Sequence, residues 1–392
     1  MSTAKHLRTI VNPVPTFEAV RLKHPAYINA FNRTWSLATR GHQSRVVIVT
    51  GPSGVGKSTL GESLHKQALK TAEPAMQADP SIVPSVLVRA VAPHGRAFNW
   101  KDFFIRALLQ LKEPLVERKA WIPEQLTLLG SDQPMKIGGD HLYPELLRRT
   151  MENALKYRHT RYLFIDEAHH ILLCRDEKQL AFQFETLKSL ADMSNATIVL
   201  LGTYKLLLIR EYSAQLTRRS QIIHFPRYDF RGTEDRRAFK SVLTHFANEL
   251  PIPLDPLLQK DVMYFFAKTA GCIGILRDLL RDALHEAIEA GSKHISREMV
   301  ESVAQTNKAI QTIIEEAALG ELALKDIGFD IVKDLVKRSP EEIIKARLLA
   351  FDSADPDKPQ PPGARRGKAR GSVGTRLPQR DIVGSPGFTR FL

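Results

Sequence analysis

Cysteine is nearly missing: the 392 residues hold two, Cys174 and Cys272. That excludes a disulfide scaffold and makes a reducing compartment the expected setting. Long apolar runs are missing too, since none approaches the ~18 residues needed to cross a bilayer. The opening MSTAKHLRTI lacks the apolar stretch of a secretory signal. The expectation is a soluble, cytoplasmic chain with no membrane partner. Acidic residues are in deficit, with 43 Asp+Glu against 56 Lys+Arg and a formal net charge of +13. Such a surplus concentrates polyanions near the surface, nucleic acid above all, although a solvated basic surface without a specific partner is the plain alternative. What the chain does not lack is apolar content: at 43% hydrophobic it is neither wholly disordered, collagen-like nor a coiled-coil rod.

The length allows about two to three domains, and the texture divides into four stretches. Residues 1–44 read as an N-terminal adaptor segment, with Pro13 and Pro15 followed by a helical pattern over 25–40 that puts Tyr27, Phe31 and Trp35 on one face. Residues 45–230 read as an α/β core. Short β-branched runs at 45–50, 85–91, 162–166, 197–201 and 221–225 alternate with helical patterns such as 57–69, 101–111 and 180–193. That alternation predicts a five-stranded parallel sheet between helices. Residues 231–350 carry only helical patterns, at 233–250, 256–269, 273–290, 296–317 and 320–350. Residues 351–392 are rich in Pro, Gly and Arg and cannot bury enough apolar surface to fold alone. This basic tail is expected to be disordered and to bind a partner, with Phe388, Phe391 and Leu392 available as anchors.

One motif carries specific chemistry. Gly51, Pro52, Ser53, Gly54, Val55, Gly56, Lys57 and Ser58 match G-x-x-x-x-G-K-[ST] at every fixed position, after an apolar strand and before a helix that continues through Thr59. The glycines let successive backbone N–H groups point inward at phosphate oxygens, and the helix start adds its positive dipole end. Lys57 is suited to the charge on the β- and γ-phosphates, and the Ser58 hydroxyl to Mg²⁺.

The strand 162–166 ends in Asp166 and Glu167, where α/β sheets bind ligands. Asp166 is expected to hold Mg²⁺ through water. Glu167 is the candidate general base, polarising the water that attacks the γ-phosphate. His169 and His170 follow, but adjacent residues on a helix point apart, so the pair is a poor metal chelate; no Cys/His cluster supports them, and one of the two reads as a surface or packing histidine.

In this order the motifs resemble an AAA+ ATPase, a P-loop NTPase whose five-stranded parallel sheet is followed by an all-helical lid. The resemblance implies a polar sensor at the next strand tip, matched by Thr203 after Leu201 and Gly202. It implies an arginine reaching a neighbouring subunit's nucleotide, matched by Arg219 with Arg218 in reserve. A second sensor arginine on the lid is matched by Arg277, in the stretch from Gly271 through Gly274 to Leu280.

Within that class, about residues 10 to 310 resemble the TniB/TnsC family of transposition regulators. The features that carry this are the early Pro-rich segment, the helix at Tyr27–Trp35, the phrase from Arg161 to His170, and the stretch from Leu180 to Leu190 leading to Thr203. The resemblance implies ATP and Mg²⁺ as ligands, self-association into rings or helical filaments on duplex DNA, and a link between a target-selection protein, in some members an RNA-guided complex, and the transposase. ATP hydrolysis then dismantles the assembly. Such a protein needs phosphate contacts more than base contacts, and Arg96 and Lys101, after the second strand, are the candidate DNA contacts. Two alternatives stand beside it: a replication-initiator or helicase-loader ATPase, and a signalling or secretion ATPase that uses protein partners only.

Overall fold

The computed structural model describes residues 17, 20–40, 46–93, 97–114, 116, 142–173, 177–209 and 220–345. Two compact units divide after Lys325.

In the first unit, α1 (Pro25–Thr39) precedes β1 (Val46–Thr50), α2 (Lys57–Ala78), β2 (Ser85–Arg89), α3 (Trp100–Gln110), α4 (Leu142–Tyr157) and β3 (Tyr162–Asp166). A three-ten turn at Ala168–Leu172 leads to α5 (Glu177–Ser194), β4 (Thr197–Gly202), a second three-ten turn at Tyr204–Leu207, and β5 (Ser220–His224). The strands form one sheet in the order β2-β3-β4-β1-β5, and every pairing is parallel. This is the P-loop AAA+ architecture.

The sequence reason lies in the strands. Val46, Val47, Ile48, Val49 and Thr50 are all buried, as a parallel strand covered on both faces requires. Alternate side chains enter opposite cores. Val46, Ile48, Leu163, Ile165, Ile198 and Leu200 pack with α3, α4 and α5. Val47, Val49, Phe164, Val199 and Leu201 pack with α1 and α2.

The α1 face buries Tyr27, Ala30, Thr34 and Ala38, and Phe31 and Trp35 lie along its edge. Helix α2 runs past the expected end at residue 69, through Pro74 to Ala78. Its deeply buried positions stop at Ala68, so the apolar signal fades before the helix does.

The helical region holds α6 (Thr233–Glu249), α7 (Pro256–Lys260), α8 (Val262–Thr269), α9 (Ile273–Glu289), α10 (Arg297–Val303) and α11 (Asn307–Ala323). Two expected helices are each split by a cap. The Asp261 side chain accepts from the Tyr264 N–H at 3.1 Å and starts α8, and the Thr306 hydroxyl accepts from the Ala309 N–H at 3.3 Å and starts α11. Phe17 sits fully buried in this helical core beside Phe246. His24, the N-cap of α1, meets the Tyr228 hydroxyl at 2.9 Å. Phe17 and residues 20–40 therefore pack on both the sheet and the helices. Helix α11 returns to the sheet edge, where Ala317 packs on Tyr204 and Leu207, and Arg227 donates to Glu321 at 2.9 Å.

In the second unit, α12 (Phe329–Lys337) has no buried residue. No helix among the described residues is long and apolar enough to cross a membrane.

Candidate active site

The site forms at the C-terminal edge of the sheet, where β1, β3 and β4 end side by side. β1 runs directly into the loop Gly51–Gly56. Gly56 closes it at φ +106°, in the left-handed region open to glycine, and caps α2. Lys57 then enters the helix almost fully buried, at 7% exposure. Its ammonium donates to the carbonyls of Gly51 at 3.0 Å and Pro52 at 2.7 Å. Burial lowers its pKa to about 8, with Glu167, Cys272, Asp166 and Glu316 pulling the other way. The group is thus a cation at neutral pH, folded onto neutral oxygens and facing carboxylates.

Across the loop stand Asp166 and Glu167. Burial raises the Asp166 pKa, and hydrogen bonds from the Ser58 side chain and from the Glu167 N–H (3.0 Å) lower it in part. Ser58 and Asp166 therefore meet, and together they offer the oxygen donors that a hard divalent cation takes. Glu167 leaves the strand with φ +53°, an uncommon conformation for a residue with a side chain. Its two oxygens face different neighbours: Arg89 Nη2 lies 4.0 Å from Oε1, and His169 Nδ1 lies 3.3 Å from Oε2.

Thr203 follows β4, whose Gly202 pairs with Thr50 of β1. The Oγ1 atoms of Thr203 and Thr50 are both buried without a hydrogen-bond partner. Buried hydroxyls without a partner are costly and uncommon. Here they sit beside a glycine cradle and a buried cation, so these residues fit a bound Mg-triphosphate.

Arg277 lies on α9, and the chain start of that helix reaches the loop: the Gly274 N–H donates to the Gly54 carbonyl at 2.7 Å. The Arg277 guanidinium pairs with Asp278 at 3.0 Å. Lys101 is exposed in the first turn of α3. Arg96, Arg218 and Arg219 lie outside the described residues.

The structure therefore brings together Lys57, Ser58, Asp166, Glu167 and Thr203. It adds two residues that sequence reasoning missed. Arg89 ends β2 opposite Asp166 in the strand register, which no single segment reveals. Of the two histidines, His170 is the packing residue, bound to the Ala90 carbonyl, and His169 turns toward Glu167.

Residues 39–209 match the family described as AAA domain. Among solved structures the chain is similar to the Aeropyrum pernix ORC2 protein in its ADPNP–ADP complexes, at 15% identity over 86% of this chain and 78% of that one, with a TM-score of 0.46. It is similar to Drosophila ORC bound to DNA at 13% identity over 77% and 69%, with a TM-score of 0.45. Domain III of the Thermotoga maritima replication initiation protein DnaA is similar at 13% identity over 78% of this chain and 98% of that one, with a TM-score of 0.40. No curated protein matches by sequence.

Proposed function

We propose that this chain is an AAA+ ATPase that assembles with ATP on duplex DNA and couples target selection to a transposase. The observation that carries the ATPase reading is the meeting of five groups at one sheet edge: Lys57, Ser58, Asp166, Glu167 and Thr203, with the buried hydroxyls of Thr203 and Thr50 making no hydrogen bond within the chain. The loop N–H groups and Lys57 bind the triphosphate. Ser58 and Asp166 would hold Mg²⁺, which would supply charge screening at the phosphates. Glu167 takes a proton from the attacking water, and Thr203 holds that water or the γ-phosphate oxygen. Arg277 senses the nucleotide from the lid. Arg219, or Arg218, reaches the site of the next subunit and ties assembly to occupancy; such an arginine supplies on the order of 10³–10⁵ in rate in other phosphate-hydrolysing systems.

The transposition role is supported by the family resemblance of the motifs and by the +13 charge, which suits sequence-independent phosphate contacts through groups such as Arg96 and Lys101. The stretches 1–44, 45–230, 231–350 and 351–392 then serve as adaptor, nucleotide core, lid with C-terminal helices, and partner-binding tail.

Negative-stain microscopy with a slowly hydrolysed ATP analogue tests the reading. Rings or filaments that need both analogue and duplex, whatever its sequence, are the expected result. Assembly confined to one DNA sequence points to an initiator instead. Assembly indifferent to DNA points to a protein-only ATPase.

A further inference from the structure

His169 occupies a place that packing alone does not explain. Ala168, Ile171 and Leu172 of its three-ten turn are buried in the core below, and His170 is fixed by its Nδ1 contact with the Ala90 carbonyl at 2.9 Å. The turn is thus clamped at both flanks, and the His169 ring is left on the side facing the sheet edge. The backbone N–H side of His169 also lies against β4, where a methyl group added at Gly202 would meet the His169 nitrogen at 3.1 Å.

The side chain is 14% exposed, and its Nδ1 is buried without a hydrogen bond. Glu167 Oε2 lies 3.3 Å away without forming a hydrogen bond. Burial, the neighbouring His170, and the cations Lys57 and Lys205 all disfavour a charged ring, and its pKa falls to about 4. With the ring neutral the contact is not an ion pair, and a proton on Nδ1 makes that atom a donor facing a glutamate oxygen. A buried donor one small rotation from a carboxylate oxygen gains most of a charge-assisted bond when that rotation occurs.

We propose that His169 is a positioning residue for Glu167: its Nδ1–H donates to Oε2, fixing the carboxylate so that Oε1 meets the attacking water. In the step it serves, Glu167 Oε1 takes one proton from the water. The water oxygen bonds the γ-phosphorus and the bridging P–O bond breaks, releasing nucleoside diphosphate and orthophosphate. His169 neither gains nor loses a proton overall. This inference rests on the hydrolysis reading above.

The test compares the wild-type chain with His169→Ala, His169→Asn and Glu167→Gln, each as the full chain. Turnover is measured together with the affinity for a fluorescent ATP analogue. Asparagine places an amide N–H near the Nδ1 position. We expect His169→Ala to lower kcat about 10-fold or more with KM and analogue affinity little changed, and His169→Asn to recover most of the loss. Nitrogen-15 histidine spectra of the nucleotide-free chain give a second readout. The signal missing from the His169→Asn spectrum should belong to a neutral ring protonated at Nδ1. Wild-type kcat in His169→Ala, loss of affinity in parallel with kcat, no rescue by asparagine, or a ring protonated at Nε2 overturns the proposal. A wild-type chain that binds and turns over no ATP overturns the parent reading instead, and the spectra still decide the contact.

Discussion

Gly274 rests on Gly54: the N–H of the first donates to the carbonyl of the second at 2.7 Å, and a methyl group at Gly274 would lie 2.4 Å from that same oxygen. The loop Gly51–Gly56 and the start of helix α9 are therefore in direct contact, and the contact leaves no room for a side chain at Gly274. Ile275 closes the other side, where its Cγ1 would stand 2.5 Å from a methyl group at Gly54.

Gly274→Ala must push α9 off the loop. We expect ATP affinity to fall about 10-fold and stability by about 1–3 kcal/mol, the usual cost of overpacking. Fluorescent-nucleotide titration and a urea melt measure both. Unchanged affinity would show that loop and lid are uncoupled.

Thr203 carries a buried hydroxyl without a hydrogen-bond partner. Thr203→Val keeps the shape and removes the orphan, so the nucleotide-free chain should be as stable as the wild type or gain up to about 1 kcal/mol. If Thr203 has the role proposed for it, hydrolysis should fall about 10-fold or more. A variant that is less stable yet fully active would reverse both assignments.

His24 is buried, and burial lowers its pKa to about 4 from 6.5. Between those values the unfolded chain takes up a proton that the folded chain refuses, so stability falls as pH drops from 6.5 toward 4. His24→Asn keeps an N-cap acceptor for the Tyr27 N–H and removes the titration. Between pH 6.5 and 5 its stability should lose about 1–2 kcal/mol less than that of the wild type. Urea midpoints at the two pH values check this, and parallel slopes would contradict it.

The sheet and phosphate loop were legible because their signals are local. Five apolar runs, a glycine loop and an acidic strand end each announce themselves within ten residues. The splits in the helical region were harder: Asp261 and Thr306 interrupt continuous helical patterns, and only a cap geometry reveals the break. Helix α4 is harder to read from sequence although Leu147, Met151, Ala154 and Leu155 carry a helical spacing, because the polar positions between them dilute the pattern. Arg89 and His169 could not be placed at all. The first depends on strand register, and the second on which way a three-ten turn faces once His170 has been fixed to Ala90.

The central claim is a triphosphate cradle whose buried cation is Lys57 and whose base is Glu167. Calorimetric titration of Mg-ATP into the wild-type chain, Lys57→Ala and Glu167→Gln tests it most directly. The account predicts saturable heat for the wild type and for Glu167→Gln, with only the former turning ATP over, and no heat for Lys57→Ala. No heat from the wild type, or a Lys57→Ala isotherm that overlays it, would contradict the account.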